Sequence, residues 1–189
     1  MQVTISTEAP DLPAHKCLAL GIFSDEKPPR GVCGFIDWRL NGFISVQMKQ
    51  GRINGAFREK TVIPFPRRIG TEIVFLFGLG AMAEFNPERI YTSAYQIIST
   101  VDGLHCNKFA FDLPGENRGL ISTAVIVEAM LAGFFDYLSR DIEKLADMTS
   151  CIVVSPTGVQ EVTAGIQRFK SSGKDMGAVD VGDLESSFA

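Results

Sequence analysis

A strand that runs into glycines just before a helix start is the arrangement with the most chemical potential in this chain. It occurs in IVFLFGLGAMAEFNPERI, residues 73–90, where an apolar run ends at Gly78, Leu79 and Gly80. Glycines let a ligand reach the backbone, and the unpaired amides of a helix N-terminus attract phosphate. The segment lacks the third glycine of a dinucleotide fingerprint, and no Gly-Lys-Ser/Thr follows, so it meets neither nucleotide-loop rule. A tight strand-to-loop turn packed against a helix is the competing and simpler account.

A second segment, DLPGENRGL (residues 112–120), joins an apolar strand to an apolar helix. If the strands are parallel it lies on the same carboxyl edge as Gly78 and Gly80, where open α/β sheets bind ligands. Asp112, Pro114, Gly115 and Asn117, with Glu116 and Arg118 beside them, are then candidate contacts for a small phosphorylated ligand. Solvated loop side chains explain the same residues without one.

Other chemistry is thinly represented. No GxSxG elbow occurs, neither His15 nor His105 lies in a catalytic motif, and no pair of carboxylates stands out as general acid and base. Cys17, Cys33, Cys106 and Cys151 form no CxxC pair, and two histidines are few to complete a zinc set. Each cysteine lies in or beside an apolar segment, as expected of small buried side chains in a reducing compartment. The expectation is a chain with no catalytic centre, metal or cofactor of its own.

At 189 residues and 46% hydrophobic content, the chain can bury one good core and is short for two. A net charge of -4 and a pI near 5.2 argue against nucleic acid as a partner, because phosphate-backbone binding needs a Lys/Arg excess. No apolar run approaches the roughly 18 to 20 residues of a membrane helix. The start, MQVTISTEAP, lacks a basic segment followed by an apolar one. The chain therefore reads as a cytoplasmic protein without a membrane partner.

The elements that must position these residues are apolar strand-like runs alternating with amphipathic stretches, the pattern of an α/β layered domain. Strands are expected at 3–6, 17–23, 61–64, 72–77, 108–113 and 151–155. IVFLF and FAFDL are apolar almost throughout, which predicts helices on both sheet faces and so three layers. Helices are expected at 37–49, where Asp37 can cap and Trp38 can pack on the sheet, and at 87–101, 120–145 and 159–171. The second of these is marked by the N-cap Asn86, Pro87 at its first position and Gly103 after its last turn. SDEKPPRG (residues 24–31) and residues 177–189 read as a mobile loop and a flexible tail.

The order of these motifs resembles the N-terminal domain of the leucyl, or cytosol, aminopeptidases. The matching pieces are IDWRLNGFISVQMKQGRINGAFREKTVIPFP, then IVFLFGLG with the NPERI helix, then KFAFDLPG, and finally VIVEAMLAGFFDYL. They span residues 18–138, and the last strand and helix extend the match to about residue 176. The resemblance implies a domain over 1–176 with a macro-domain-like α/β/α fold: a mixed, mostly parallel sheet of about six strands with helices on both faces. In full-length enzymes of that family this domain precedes a two-zinc catalytic domain and contributes to hexamer assembly. The family's metal ligands, catalytic lysine and catalytic arginine lie in that second domain, and nothing like its NTDAEGR signature occurs here, so no such residue carries over.

Three functions follow from the resemblance. The first is a non-catalytic assembly or regulatory domain, forming a homo-oligomer or docking on a separate aminopeptidase catalytic subunit. The second is a module binding an ADP-ribose-like phosphorylated ligand, although the adenine-contacting aspartate and glycine-rich diphosphate loop of such macro domains find no clear match. The third is a fragment of a full-length metalloaminopeptidase.

Overall fold

The computed structural model describes residues 1–12, 15–116, 118–173 and 179–185. Seven strands, β1 (Gln2–Ser6), β2 (Cys17–Phe23), β3 (Lys60–Pro64), β4 (Ile73–Gly80), β5 (Lys108–Asp112), β6 (Thr149–Val153) and β7 (Asp180–Glu185), form one sheet ordered β3-β4-β2-β5-β6-β1-β7. All neighbours are parallel except β3 and β4.

The period-two alternation of each strand divides its side chains between two cores. Cys17, Ala19, Phe75, Phe77, Phe109 and Phe111 face one, under α3 (Pro87–Gly103), α4 (Thr123–Leu138) and α6 (Val159–Ser171). Leu18, Leu20, Ile22, Val74, Leu76 and Ala110 face the other, under α1 (Gly31–Arg39) and α2 (Phe43–Lys49). Covering both faces is why these strands are apolar throughout. The expected three-layer α/β/α arrangement is therefore present, and α4 is buried along most of its length.

Several boundaries differ from expectation. The helix expected at 37–49 is two helices, because Asn41 (φ 56) and Gly42 (φ 76) take left-handed conformations that end α1. Asp37 lies inside α1 rather than at its start. Its buried carboxylate accepts hydrogen bonds from the Ser45 amide, at 3.0 Å, and the Ser45 hydroxyl, and so caps α2 instead. Trp38 does not pack on the sheet; it is 67% exposed. The helix expected at 120–145 is α4 and a short α5 (Ile142–Asp147), whose separate start is set by Asp141, the acceptor for the amides of Glu143 and Lys144.

The SDEKPPRG loop is tethered rather than loose. Glu26 is buried there and pairs with Arg118. Within the expected tail, residues 180–185 form β7 beside β1, which makes the sheet one strand larger than foreseen. Residues 174–178 and 186–189 lie outside the described residues. Among the described residues no helix is long and apolar enough to cross a membrane.

Candidate functional site

β2 and β5 are neighbours, but the segments that follow them leave the sheet on opposite sides, β2 towards α1 and β5 towards α4. Divergence at adjacent carboxyl ends opens a crevice, the place where open α/β sheets bind ligands. Here it is a cleft of about 620 Å³, bounded also by residues 7–10 after β1 and residues 153–155 at the end of β6.

The floor of the cleft carries Asp112, the last residue of β5. Strand alternation turns it to the same side as Ala110, and it is only 8% exposed. Its Oδ1 accepts a hydrogen bond of 3.0 Å from the amide of Gly21 in β2. Burial raises the Asp112 carboxyl to about 7 and the nearby Glu116 adds to the rise, while the Gly21 amide and Arg118 oppose it. Near neutral pH this group can therefore either donate or accept a hydrogen bond. Beneath it, burial and the carboxylates of Asp112, Asp37 and Glu26 push the Cys33 thiol well up, which removes it as a nucleophile at neutral pH.

The walls bring cationic and apolar groups together. Arg118, from the loop after β5, forms an ion pair with Glu26, from the loop after β2, and closes the two loops on each other. The Nε of Arg118 is buried and has no hydrogen-bond partner among the described residues. Arg30 is the N-cap of α1; its side chain makes no cap bond and the first turn carries no acidic residue, but its amide donates to Glu26 Oε2 at 3.3 Å, so that carboxylate sits at the positive end of the helix. Phe23 and Phe35 supply apolar wall. On the far side Ser155 donates to Glu116 at 3.3 Å. The Arg30 side chain, the Arg118 guanidinium shared with Glu26 and one deeply buried carboxyl suit a small molecule that combines an anionic group with a polar, hydrogen-bonding part.

Asp112, Pro114 and Gly115 line this cleft, together with Glu116 and Arg118. Asn117 lies outside the described residues. Gly78, Leu79 and Gly80 do not reach the cleft. β4 continues through Gly80, and the space beside it is filled by the backbone of residues 55–59: Gly78 donates to Glu59 O at 2.8 Å, Gly80 donates to Gly55 O at 2.9 Å, and a Cβ on Gly78 would lie 1.9 Å from Ala56 O. Leu79 is buried in the core. The helix start beyond them is closed as well, since Asn86 caps the Arg89 amide at 2.9 Å. The simpler account of that segment, a packed turn, is what its surroundings support.

Gly21, Glu26, Arg30, Gly31 and Phe35 were not foreseen as part of the site. The one local sign is PPR directly before Gly31, where α1 starts without a capping side chain, six residues ahead of the expected helix start at 37. The four cysteines are buried, and the Sγ atoms of Cys17 and Cys106 lie 2.7 Å apart in the core. Among the described residues no group of three or more His, Cys, Asp or Glu could hold a metal ion.

Comparison with known proteins fits this architecture. Residues 19–139 match the N-terminal domain of the cytosol aminopeptidase family. No curated protein sequence matches the chain. Among solved structures, a tomato leucine aminopeptidase mutant is similar at 15% identity and a TM-score of 0.62, covering 90% of this chain and 36% of the enzyme. This chain thus spans about a third of that protein. A Trypanosoma brucei macrodomain in complex with ADP-ribose is similar at 10% identity and a TM-score of 0.69, covering 87% of this chain and 68% of the other. An Oceanobacillus iheyensis macrodomain mutant is similar at 8% identity and a TM-score of 0.69, covering 89% and 92%. Identities this low speak for the fold alone. With the family match over most of the sequence and the same three-layer architecture around it, the chain belongs to the cytosol aminopeptidase family through that family's N-terminal domain, which here has a macrodomain-like fold.

Proposed function

We propose that this chain is a non-catalytic assembly or regulatory module of the cytoplasm, docking through the α1–α2 corner on a second copy or on an aminopeptidase catalytic subunit. The observation that carries the proposal is a set of large apolar side chains left in water at that corner. Trp38, at the end of α1, is 67% exposed, Phe43 and Val46 of α2 are exposed, and Phe65 on the adjoining β3–β4 turn is 78% exposed. The same two helices already bury Ile36, Ile44 and Met48 on their inner side, so these residues are additional to the core.

The corner is held in shape by Arg39, which pairs with Asp11 at 2.7 Å and donates to Arg68 O at 3.1 Å, and by Arg68, which donates to Asn41 at 3.1 Å. Preformed apolar patches of this kind mark protein interfaces. If the sequence belongs to a longer metalloaminopeptidase, the peptidase chemistry resides in that protein's other domain.

Trp38 is the sole tryptophan, so its fluorescence reports on the corner directly. Acrylamide quenching is measured with native mass over a concentration series, alone and with a family catalytic domain. Shielding of Trp38 that tracks complex formation is expected. Complexes in which Trp38 stays fully quenchable overturn the proposal.

A second reading is favoured by the cleft, where Asp112, Arg30, Arg118 and the start of α1 converge. Its ligand is a small phosphorylated molecule of the ADP-ribose kind. Thermal unfolding with ADP-ribose, ADP and inorganic phosphate tests it: a ligand at 100 times its Kd adds about 2.7 kcal/mol to stability. No rise in Tm at millimolar ligand removes this reading.

A further inference from the structure

We infer that the occupant of the α1–α2 corner is the acidic α5 edge of a second copy of this chain, so that copies join head to tail. The inference rests on the assembly proposal above and adds the partner and its chemistry.

It comes from the way charge is distributed. Residues 38–68 hold seven of the 18 Lys and Arg residues against one of the 22 Asp and Glu residues, a local charge of +6 in a chain whose total is -4; the rest, with 11 against 21, carries -10. Four of these cations border the exposed apolar corner: Arg67 and Arg68 follow Phe65, and Lys49 and Arg52 follow Val46, whereas Arg39 is paired with Asp11 and Arg58 lies against α3. A face that combines Trp and Phe with Arg at its rim has the composition of an interface centre, and its charge selects an acidic partner.

The matching surface lies on the opposite layer of the same molecule. Residues 140–147, RDIEKLAD, carry three carboxylates against Arg140, which lies over the Tyr95 ring at 5.5 Å, and one lysine, and in their midst Ile142 is 79% exposed between Asp141 and Glu143. The lysine, Lys144, is already engaged by Asp102 at 2.7 Å. Leu104, near Asp102 at the end of α3, adds a second exposed apolar side chain. α5 packs under the α3–α4 layer through Leu145, whereas α1 and α2 cover the other sheet face. One surface is thus apolar with a basic rim, the other apolar with an acidic rim, and they point away from each other.

Isolated surface ion pairs contribute little, so the apolar contact supplies affinity and the charges supply orientation and rate. Because the two halves of the contact are different surfaces, it is heterologous, and association continues past two copies into a ring or an open chain.

The test uses the full chain in sedimentation at about 0.05 M and about 0.5 M salt, since the higher concentration shortens the screening length severalfold. Mass above that of a dimer is expected at low salt, with only a modest shift toward lower mass at high salt, because the apolar contact that supplies the affinity is not screened. Lys49→Glu with Arg67→Glu reverses charge at the basic rim without touching the contacts that shape the corner, and Ile142→Ser with Glu143→Lys removes the acidic knob; all four positions are exposed, and circular dichroism checks that each variant is folded. Each variant alone is expected to be monomeric. Their mixture is expected to form a complex of two and no more, because only one intact contact remains. A wild-type chain that is monomeric at both salts, or that stops at a dimer, overturns the inference. So does association that survives the α5 variant. If Trp38 is nevertheless shielded in that association, or by a catalytic domain, the assembly proposal stands with a different occupant.

Discussion

Two regions at the carboxyl edge of the sheet look alike in sequence and differ in consequence. Both the end of β4 and the loop after β5 place glycine where an apolar strand meets a helix. At the end of β4 the glycines are consumed internally: Gly78 and Gly80 admit the backbone of residues 55–59, and Asn86 closes the helix start beyond. At the end of β5 the neighbouring strand β2 sends its chain to the opposite sheet face, and the space between stays open as the cleft over Asp112. Glycine thus marks close approach in both places. Whether the approaching group is the protein's own backbone or a ligand depends on the path of the next segment.

The comparison is tested most severely at Gly78. Gly78→Ala places a Cβ 1.9 Å from a backbone oxygen that cannot rotate away, and the expected loss exceeds about 3 kcal/mol in denaturant unfolding. A change under about 0.5 kcal/mol would mean that the β4 end is not filled as described.

On the cleft side, Arg118→Met leaves the buried Glu26 carboxylate without its partner and unties the two loops. The expected cost is about 2 to 3 kcal/mol, with loss of any ligand-induced rise in Tm. A variant of wild-type stability would show that the pair does not hold the cleft.

Asp112→Asn acts in the other direction, with a definite pH dependence. The folded carboxyl has its pKa raised to about 7, above the unfolded value of about 3.9, so the folded state keeps its proton longer. That preference stabilises fully below about pH 3.9 and is lost as pH rises through 7. The asparagine, whose amide oxygen can still accept from Gly21, is therefore expected to gain on the order of 2 kcal/mol at pH 8 and little at pH 4. Equal effects at both pH values would place the Asp112 carboxyl in a solvated environment.

The smallest effect on stability belongs to the third region, the α1–α2 corner. Trp38→Ser is expected to leave monomer unfolding within about 0.5 kcal/mol while weakening association, measured by unfolding and sedimentation on the same samples. A large loss of monomer stability would mean that Trp38 belongs to the core.

The local pattern of the sequence was enough for β2 at 17–23, for α6 at 159–171, and for the start of α3 at Asn86 and Pro87, because apolar periodicity and capping side chains act within a few residues of chain. It was also enough to place Asp112, Pro114 and Gly115 beside a cleft once parallel strands were assumed. It misjudged the corner: Ile36 and Trp38 are both apolar, and the left-handed turn at Asn41–Gly42 restarts the helix and changes which face is buried. It also passed over Glu26, whose importance comes from pairing with Arg118, 92 residues away, and Arg30, which lines the same cleft.

By itself the sequence determined the layered α/β class, most of the elements and the kinship with the aminopeptidase N-terminal domain, since these follow from short-range pattern and motif order. Tertiary structure alone decided that β7 joins the sheet, that residues 55–59 fill the β4 corner, and that burial carries Asp112 to a pKa near 7. Each of those depends on which distant segment occupies a given volume, and so on desolvation and contact that no local stretch of chain encodes.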